Sequence, residues 1–147
     1  MFCLLLSAGI TAAQSQKKLP SKQAVPELTK MLTGTGLPFT MLNDSVAVIP
    51  YGGENIAKYE VVVQKVSPLY IIFINLSEAM PGKLNEAHYK YLLQRSDHFD
   101  IVKIGLAEDG IFYLRADLYK SIASTLILKR IISQVANVAN IIGGDLK

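Results

Sequence analysis

The side chains able to carry acid–base or metal chemistry are few. His88 and His98 are the only imidazoles in 147 residues, and a hydrolytic triad needs an imidazole held between a nucleophile and an orienting acid. Helical spacing sets His88 on the same side as Leu84, Tyr91 and Leu92, so a packed or partly exposed histidine is expected rather than a base. His98 stands between Asp97 and Asp100 in the segment SDHFD. Those three could supply metal donors, but neighbours in one loop do not converge on an ion without a distant further ligand. The segment therefore reads as a solvated helix-to-strand loop, and no metal is expected. Glu108 with Asp109, and Asp97 with Asp100, are the acidic pairs that could do general acid–base work. All four fall at turns or strand ends, where short acidic side chains serve the backbone. Gly34-Thr35-Gly36 follows a helix instead of opening one, which makes it a helix stop and not a phosphate loop. Asn43-Asp44-Ser45 and Asn75-Leu76-Ser77 match the glycosylation acceptor pattern, a triplet short enough to arise by chance. No catalytic residue and no cofactor are expected. What remains is contact chemistry: among seven scattered tyrosines, Tyr113 shares the outer row of a predicted hairpin with Arg115. A tyrosine is apolar across its ring and polar at its tip, which suits an interface.

Apolar periodicity gives the frame that would hold these groups. Pro26 can open a helix at its first turn, and Leu28, Met31 and Leu32 then share a face that ends at Gly34 and Gly36. Phe39 to Leu42 and Val46 to Ile49 read as strands around an Asn43-Asp44-Ser45 turn, with Gly52-Gly53 turning the chain next. Tyr59 to Val66 and Leu69 to Asn75 are stronger strands separated by Ser67-Pro68, and Pro81-Gly82 breaks the chain before a helix from Leu84 to Arg95. Phe99 to Ala107 alternates, with Val102, Ile104 and Leu106 in one row. Glu108-Asp109-Gly110 signals a hairpin, whose return strand is Ile111 to Asp117. Ser121 is expected to cap a long helix running to Ile142 and stopped by Gly143-Gly144. On it Ile127, Leu128, Ile131, Ile132, Val135, Val138, Ala139 and Ile142 form one stripe. The order is α-β-β-β-β-α-β-β-α, an α+β domain whose short connections favour an antiparallel sheet of five to six strands.

Half of the residues are apolar and 18% are charged, which supports a packed core and argues against global disorder. The length fits a single domain. Fifteen Lys and Arg against twelve Asp and Glu leave a net charge of +3, with basic residues scattered from Lys17 to Lys147. Nucleic-acid recognition needs a basic stripe or patch, so no nucleic-acid partner is expected. Met1 to Ala13, MFCLLLSAGITAA, carries no charge and is followed by the polar QSQKKLPSKQ. This has the form of a secretory signal peptide and is too short to span a bilayer as a helix. No Lys or Arg precedes the run, so the true start is expected a few residues upstream. Residues 14–25 read as a linker and 26–147 as the domain, secreted or periplasmic, with no membrane span in the mature chain. Cys3 is the only cysteine; its removal with the signal would leave no disulfide, thiolate or cysteine-bound zinc.

From the helix ending near Arg95, through VKIGLAEDGIFYLRADL, to the long terminal helix, the pattern resembles the bacterial YbjN-type family of sensory transduction regulators. The likeness covers roughly residues 26 to 142, and its most specific piece is the AEDG turn with the apolar, aromatic and acidic residues after it. The resemblance implies a curved antiparallel sheet with helices packed on it, a fold like that of type III secretion chaperones, often dimeric, and a binding role. An export signal fits badly with a cytoplasmic secretion chaperone, and fold alone does not fix function.

The expected function is non-catalytic binding or regulation outside the cytoplasm. The alternatives are carriage of a small apolar ligand between sheet and helices, and hydrolysis at a site assembled from distant residues. A homodimer is expected on two grounds. Leu69 to Asn75 carries Ile71 and Phe73 on one face and Tyr70, Ile72 and Ile74 on the other, whereas three helices can cover only one face of such a sheet. In addition, Ile122 and Leu126 fall on the otherwise polar side of the terminal helix, beside Lys129 and Ser133. Left-over apolar surface suits a symmetric pair. Tyr113, Arg115, Ile122 and Leu126 are thus the candidate partner contacts; no residue pattern names the protein partner.

Overall fold

The structure is a computed structural model that describes residues 24–80 and 84–146. The expected signal stretch 1–13 with Cys3, all but the last two residues of the 14–25 linker, and the Pro81-Gly82 break lie outside the described residues. Helix α1 is Glu27–Thr35, entered through Pro26 and closed by Gly36 in the left-handed region at φ 70°, a conformation glycine adopts without steric cost. Strands β1 (Thr40–Asn43) and β2 (Val46–Tyr51) follow, joined by a turn in which Ser45 N–H donates to Asn43 Oδ1 at 2.8 Å. Strands β3 (Tyr59–Val66) and β4 (Leu69–Asn75) coincide with the periodic runs in the sequence.

After β4 come a one-turn helix α2 (Leu76–Ala79) and helix α3 (Glu86–Ser96). Strands β5 (Lys103–Leu106) and β6 (Phe112–Tyr119) form the second hairpin, and α4 (Thr125–Asp145) ends the domain. All six strands make one antiparallel sheet in the order β1-β2-β3-β4-β6-β5. Fold class and element order are therefore as the periodicity dictates, with α2 and a 3₁₀ turn at Lys120–Ile122 added.

Burial alternates along every central strand. Ala47, Ile49, Val61, Val63, Tyr70, Ile72, Ile74, Phe112, Leu114, Ala116 and Leu118 are buried, and the residues between them are not. Helix α4 lies across β3, β4 and β6 with α1 beside it, and α3 sits against β5. Seven residues of the predicted α4 stripe, from Leu128 to Ile142, are buried; Ile127 stands at its margin, 38% exposed. By length and composition α4 could cross a membrane, but in the fold its stripe is buried against the sheet.

Three local expectations need correction. Ser124, not Ser121, caps α4, its Oγ accepting from Ile127 N–H at 3.2 Å. Gly143-Gly144 does not stop the helix; it runs on to Asp145. Both glycines face the 52–58 loop, where an added Cβ would collide with Ile56 or Asn55. They permit close approach rather than a turn. The predicted strand Phe99 to Ala107 shrinks to four residues. Val102, just before it, is buried and lines a hollow with Gln134, Val138 and Ile141 of α4. His88 is partly exposed, within the expectation. It completes a capping box, with its N–H donating to Asn85 Oδ1 at 3.0 Å and its Nδ1 accepting from Asn85 N–H at 3.1 Å.

Truncating one large buried aliphatic costs roughly 2–5 kcal/mol, whereas a surface change away from special features stays within about 0.5 kcal/mol. Ile132 is fully buried and Lys129 is exposed. Ile132→Ala is expected to lower the urea midpoint clearly and Lys129→Ala to leave it in place. Equal shifts would mean that α4 is not packed through this stripe.

Candidate docking face

Because strand side chains alternate, the sheet has a second face, and it carries apolar side chains too. Val48 stands opposite Val62, Val62 opposite Phe73, and Phe73 opposite Arg115. One pair further along, Val46, Gln64, Ile71 and Asp117 stand opposite one another in turn. Val46, Val48, Val62, Ile71 and Phe73 are all half-buried among their neighbours on this face, while α1, α3 and α4 lie on the opposite side. Gln64, Ile71, Phe73, Tyr113 and Arg115 line a shallow hollow of about 220 Å³ on this face. Tyr113 leans over Gly105, directly across the hairpin, where any Cβ would strike the ring. Glycine at this edge lets the ring lie flat over the backbone.

Arg115 Nε donates to Asp117 Oδ1 at 2.7 Å, and Lys103 Nζ lies 3.6 Å from Asp117 Oδ2. The structure thus brings Tyr113 and Arg115 into one hollow. It places Ile122 and Leu126 elsewhere, at the helical layer, 63% and 75% exposed. Sequence reasoning did not attach Gln64, Lys103 or Asp117 to the site. Period-2 alternation could have given Asp117, which lies two residues from Arg115, but the other two require the cross-strand register.

Titratable groups cluster at two other points, and both are clasps between elements. Tyr70, 2% exposed, donates its hydroxyl to Glu27 at 2.7 Å. The same carboxylate receives Lys120 Nζ at 2.9 Å and has Lys65 Nζ at 3.8 Å. The hydrogen bond from Lys120, and then that from Tyr70, hold the Glu27 carboxyl below its ordinary range. Burial, with the Glu27 carboxylate beside it, pushes the Tyr70 phenol up. The arrangement pins the start of α1 to β4 and the end of β6. At the other end, Tyr91 donates to Asp145, which also takes Arg95 Nη2 at 2.9 Å, tying α3 to the end of α4. His98, Asp97 and Asp100 are exposed in the loop after α3, and no three His, Cys, Asp or Glu residues converge among the described residues.

No protein-family model and no curated protein matches this sequence. Solved structures do match in shape. A chain in the heterodimeric complex ExoU–SpcU from the type III secretion system of Pseudomonas aeruginosa aligns over 78% of this chain and 93% of its own, at 18% identity and a TM-score of 0.55. A chain of the HopA1–SchA chaperone–effector complex aligns over 76% of this chain and 89% of its own, at 13% identity and a TM-score of 0.56. A chain of the ExsC–ExsE complex gives 78% and 90%, at 15% identity and a TM-score of 0.54. At these identities the likeness is one of fold, and it agrees with the secretion-chaperone-like architecture expected from the sequence.

The Glu27 clasp sets a pH dependence. A carboxyl whose folded pKa is lowered adds stability that is complete above its unfolded value, near 4.5, and is lost as pH falls through the lowered folded value. Glu27→Gln is therefore expected to be less stable than wild type at pH 7, with the gap closing below about pH 4.5. A gap of constant size from pH 7 to pH 3 in urea titrations would show that the carboxylate is not what holds α1.

Proposed function

We propose that this chain is a non-catalytic domain that holds a partner protein on the open face of its sheet. In this reading it acts outside the cytoplasm as a regulator of the YbjN type and pairs with a second copy of itself. The observation that carries the reading is the one-sided cover of the sheet: every long helix lies on one face, while Val48, Val62, Ile71 and Phe73 line the other. An exposed contiguous apolar patch marks an interaction site more often than a structural accident. The HopA1–SchA structure is a chaperone–effector complex, which favours a protein as the occupant. Catalysis lacks support, because His88 is used as a helix cap and His98 lies in an exposed loop.

Export rests on the uncharged run MFCLLLSAGITAA with the polar segment behind it. Pairing rests on Ile122 and Leu126, whose exposure on the helical layer is joined by that of Ile127. Docking face and pairing patch are separate surfaces, so a dimer would keep both sheets free.

The docking reading is tested by tagged protein recovered from its native host. Wild type is expected to retain a partner identifiable by mass spectrometry, and Phe73→Asp, which puts a charge in the middle of the face, to lose it without loss of fold. Equal recovery by both would remove this face as the docking surface. For the pair, light scattering at micromolar concentration should give two copies for wild type and one for Leu126→Asp; a wild type that is monomeric throughout ends the dimer. Intact mass of the protein from its host should lack the first thirteen residues or a few more, and a full-length cytoplasmic product would refute export.

A further inference from the structure

We infer that the partner segment lying on the open face carries a carboxylate, an Asp or Glu side chain, and that Arg115 receives it. The inference rests on the docking reading above and adds the chemistry of the occupant. Its starting point is the charge order along one row of the sheet. From Val48 the row passes through Val62 and Phe73 to Arg115 and then to Lys103, each directly opposite the next. With strands about 4.8 Å apart, the row is apolar over three strands and cationic over the last two.

Two like charges directly opposite each other across a strand pair repel. Among the described residues, the carboxylate set against them is Asp117, which meets Arg115 at Nε and Lys103 at Nζ. One anion for two cations leaves a positive charge over. The spare donors are specific: Arg115 Nε is engaged, while its two Nη groups meet no acceptor among the described residues. A guanidinium edge of this kind receives a carboxylate through two parallel N–H donors. Glu60, opposite Pro50 on β3, is two strands across and two residues along from Arg115, about 12 Å away, so it does not neutralise the pair.

Ile71, Phe73 and the Tyr113 ring supply the apolar part of the hollow, with Gln64 its other polar side chain. A segment covering them would exclude water, and the lower effective dielectric would strengthen the ion pair formed at the rim. The occupant is therefore a segment that sets apolar side chains beside an acid. A basic segment would meet Arg115 and Lys103 and be repelled.

The test uses the full chain and two fluorescein-labelled peptides, Ser-Leu-Ser-Phe-Ser-Glu-Ser and the same peptide with Gln in place of Glu, measured by fluorescence anisotropy. Wild type is expected to bind the Glu peptide about tenfold more tightly at low salt, the order of a hydrogen bond to a charged group. The preference should shrink as salt rises. Arg115→Gln should bind both peptides as wild type binds the Gln peptide. Arg115→Lys keeps the charge without the two-donor edge, so it should retain part of the preference and serves if the Gln variant does not fold. Equal binding of both peptides by wild type would overturn the carboxylate inference and leave the docking face standing, as would a preference that survives in Arg115→Gln. Binding of neither peptide up to millimolar concentration would overturn both.

Discussion

The fold depends on burying one helix stripe against one sheet face. Leu128, Ile131, Ile132, Val135, Val138, Ala139 and Ile142 of α4 meet the inward rows of β3, β4 and β6, and these residues make up much of the core. Apolar burial is non-directional and scales with area, so it draws α4 onto the sheet without choosing where along the strands it stops. That choice is made by a few polar contacts. Tyr59 gives its hydroxyl to the Ala136 carbonyl at 2.9 Å, and Asn140 Oδ1 accepts from the N–H groups of Asn55 and Ile56 at 2.9 and 3.3 Å. A buried polar group left unpaired is costly, so sliding α4 by one turn would break three bonds at once. Gly143 and Gly144 belong to the same lock, since the 52–58 loop rests where their side chains would be.

The one-sided layer has a direct consequence for function. A helix layer large enough to cover six strands once cannot cover them twice, and the second face keeps the apolar residues that β3 and β4 carry on both sides. A sheet meant to face water alone alternates apolar with polar residues; Leu69–Asn75 does not. The same face ends at β6 and β5 in charged residues, with Arg115 and Lys103 sharing Asp117. An apolar floor with a charged rim is the composition of a docking surface for a protein segment. The titratable groups elsewhere are engaged in holding elements together: Glu27 and Tyr70 at one end of the sheet, and Tyr91, Arg95 and Asp145 at the other.

The sequence by itself determined the element order, the antiparallel sheet and the buried face of α4, because each follows from local periodicity: 2 along strands and 3.6 along helices. It also put Tyr113 beside Arg115, two residues apart on one strand. Tertiary structure decided the rest. Whether Gly143-Gly144 ends a helix or admits a neighbour depends on Asn55 and Ile56, nearly ninety residues earlier in the chain. Whether His88 packs or caps depends on where α3 begins, and Asn85 takes that role. The strand expected from Phe99 begins only at Lys103, and Val102 before it lines a hollow with residues of α4. The hollow joins Gln64 and Phe73 to Arg115, and Lys103 to Asp117, through cross-strand register, which is set by pairing between segments far apart in the chain. Periodicity tells a residue which way to face; only the packed neighbours determine what it faces.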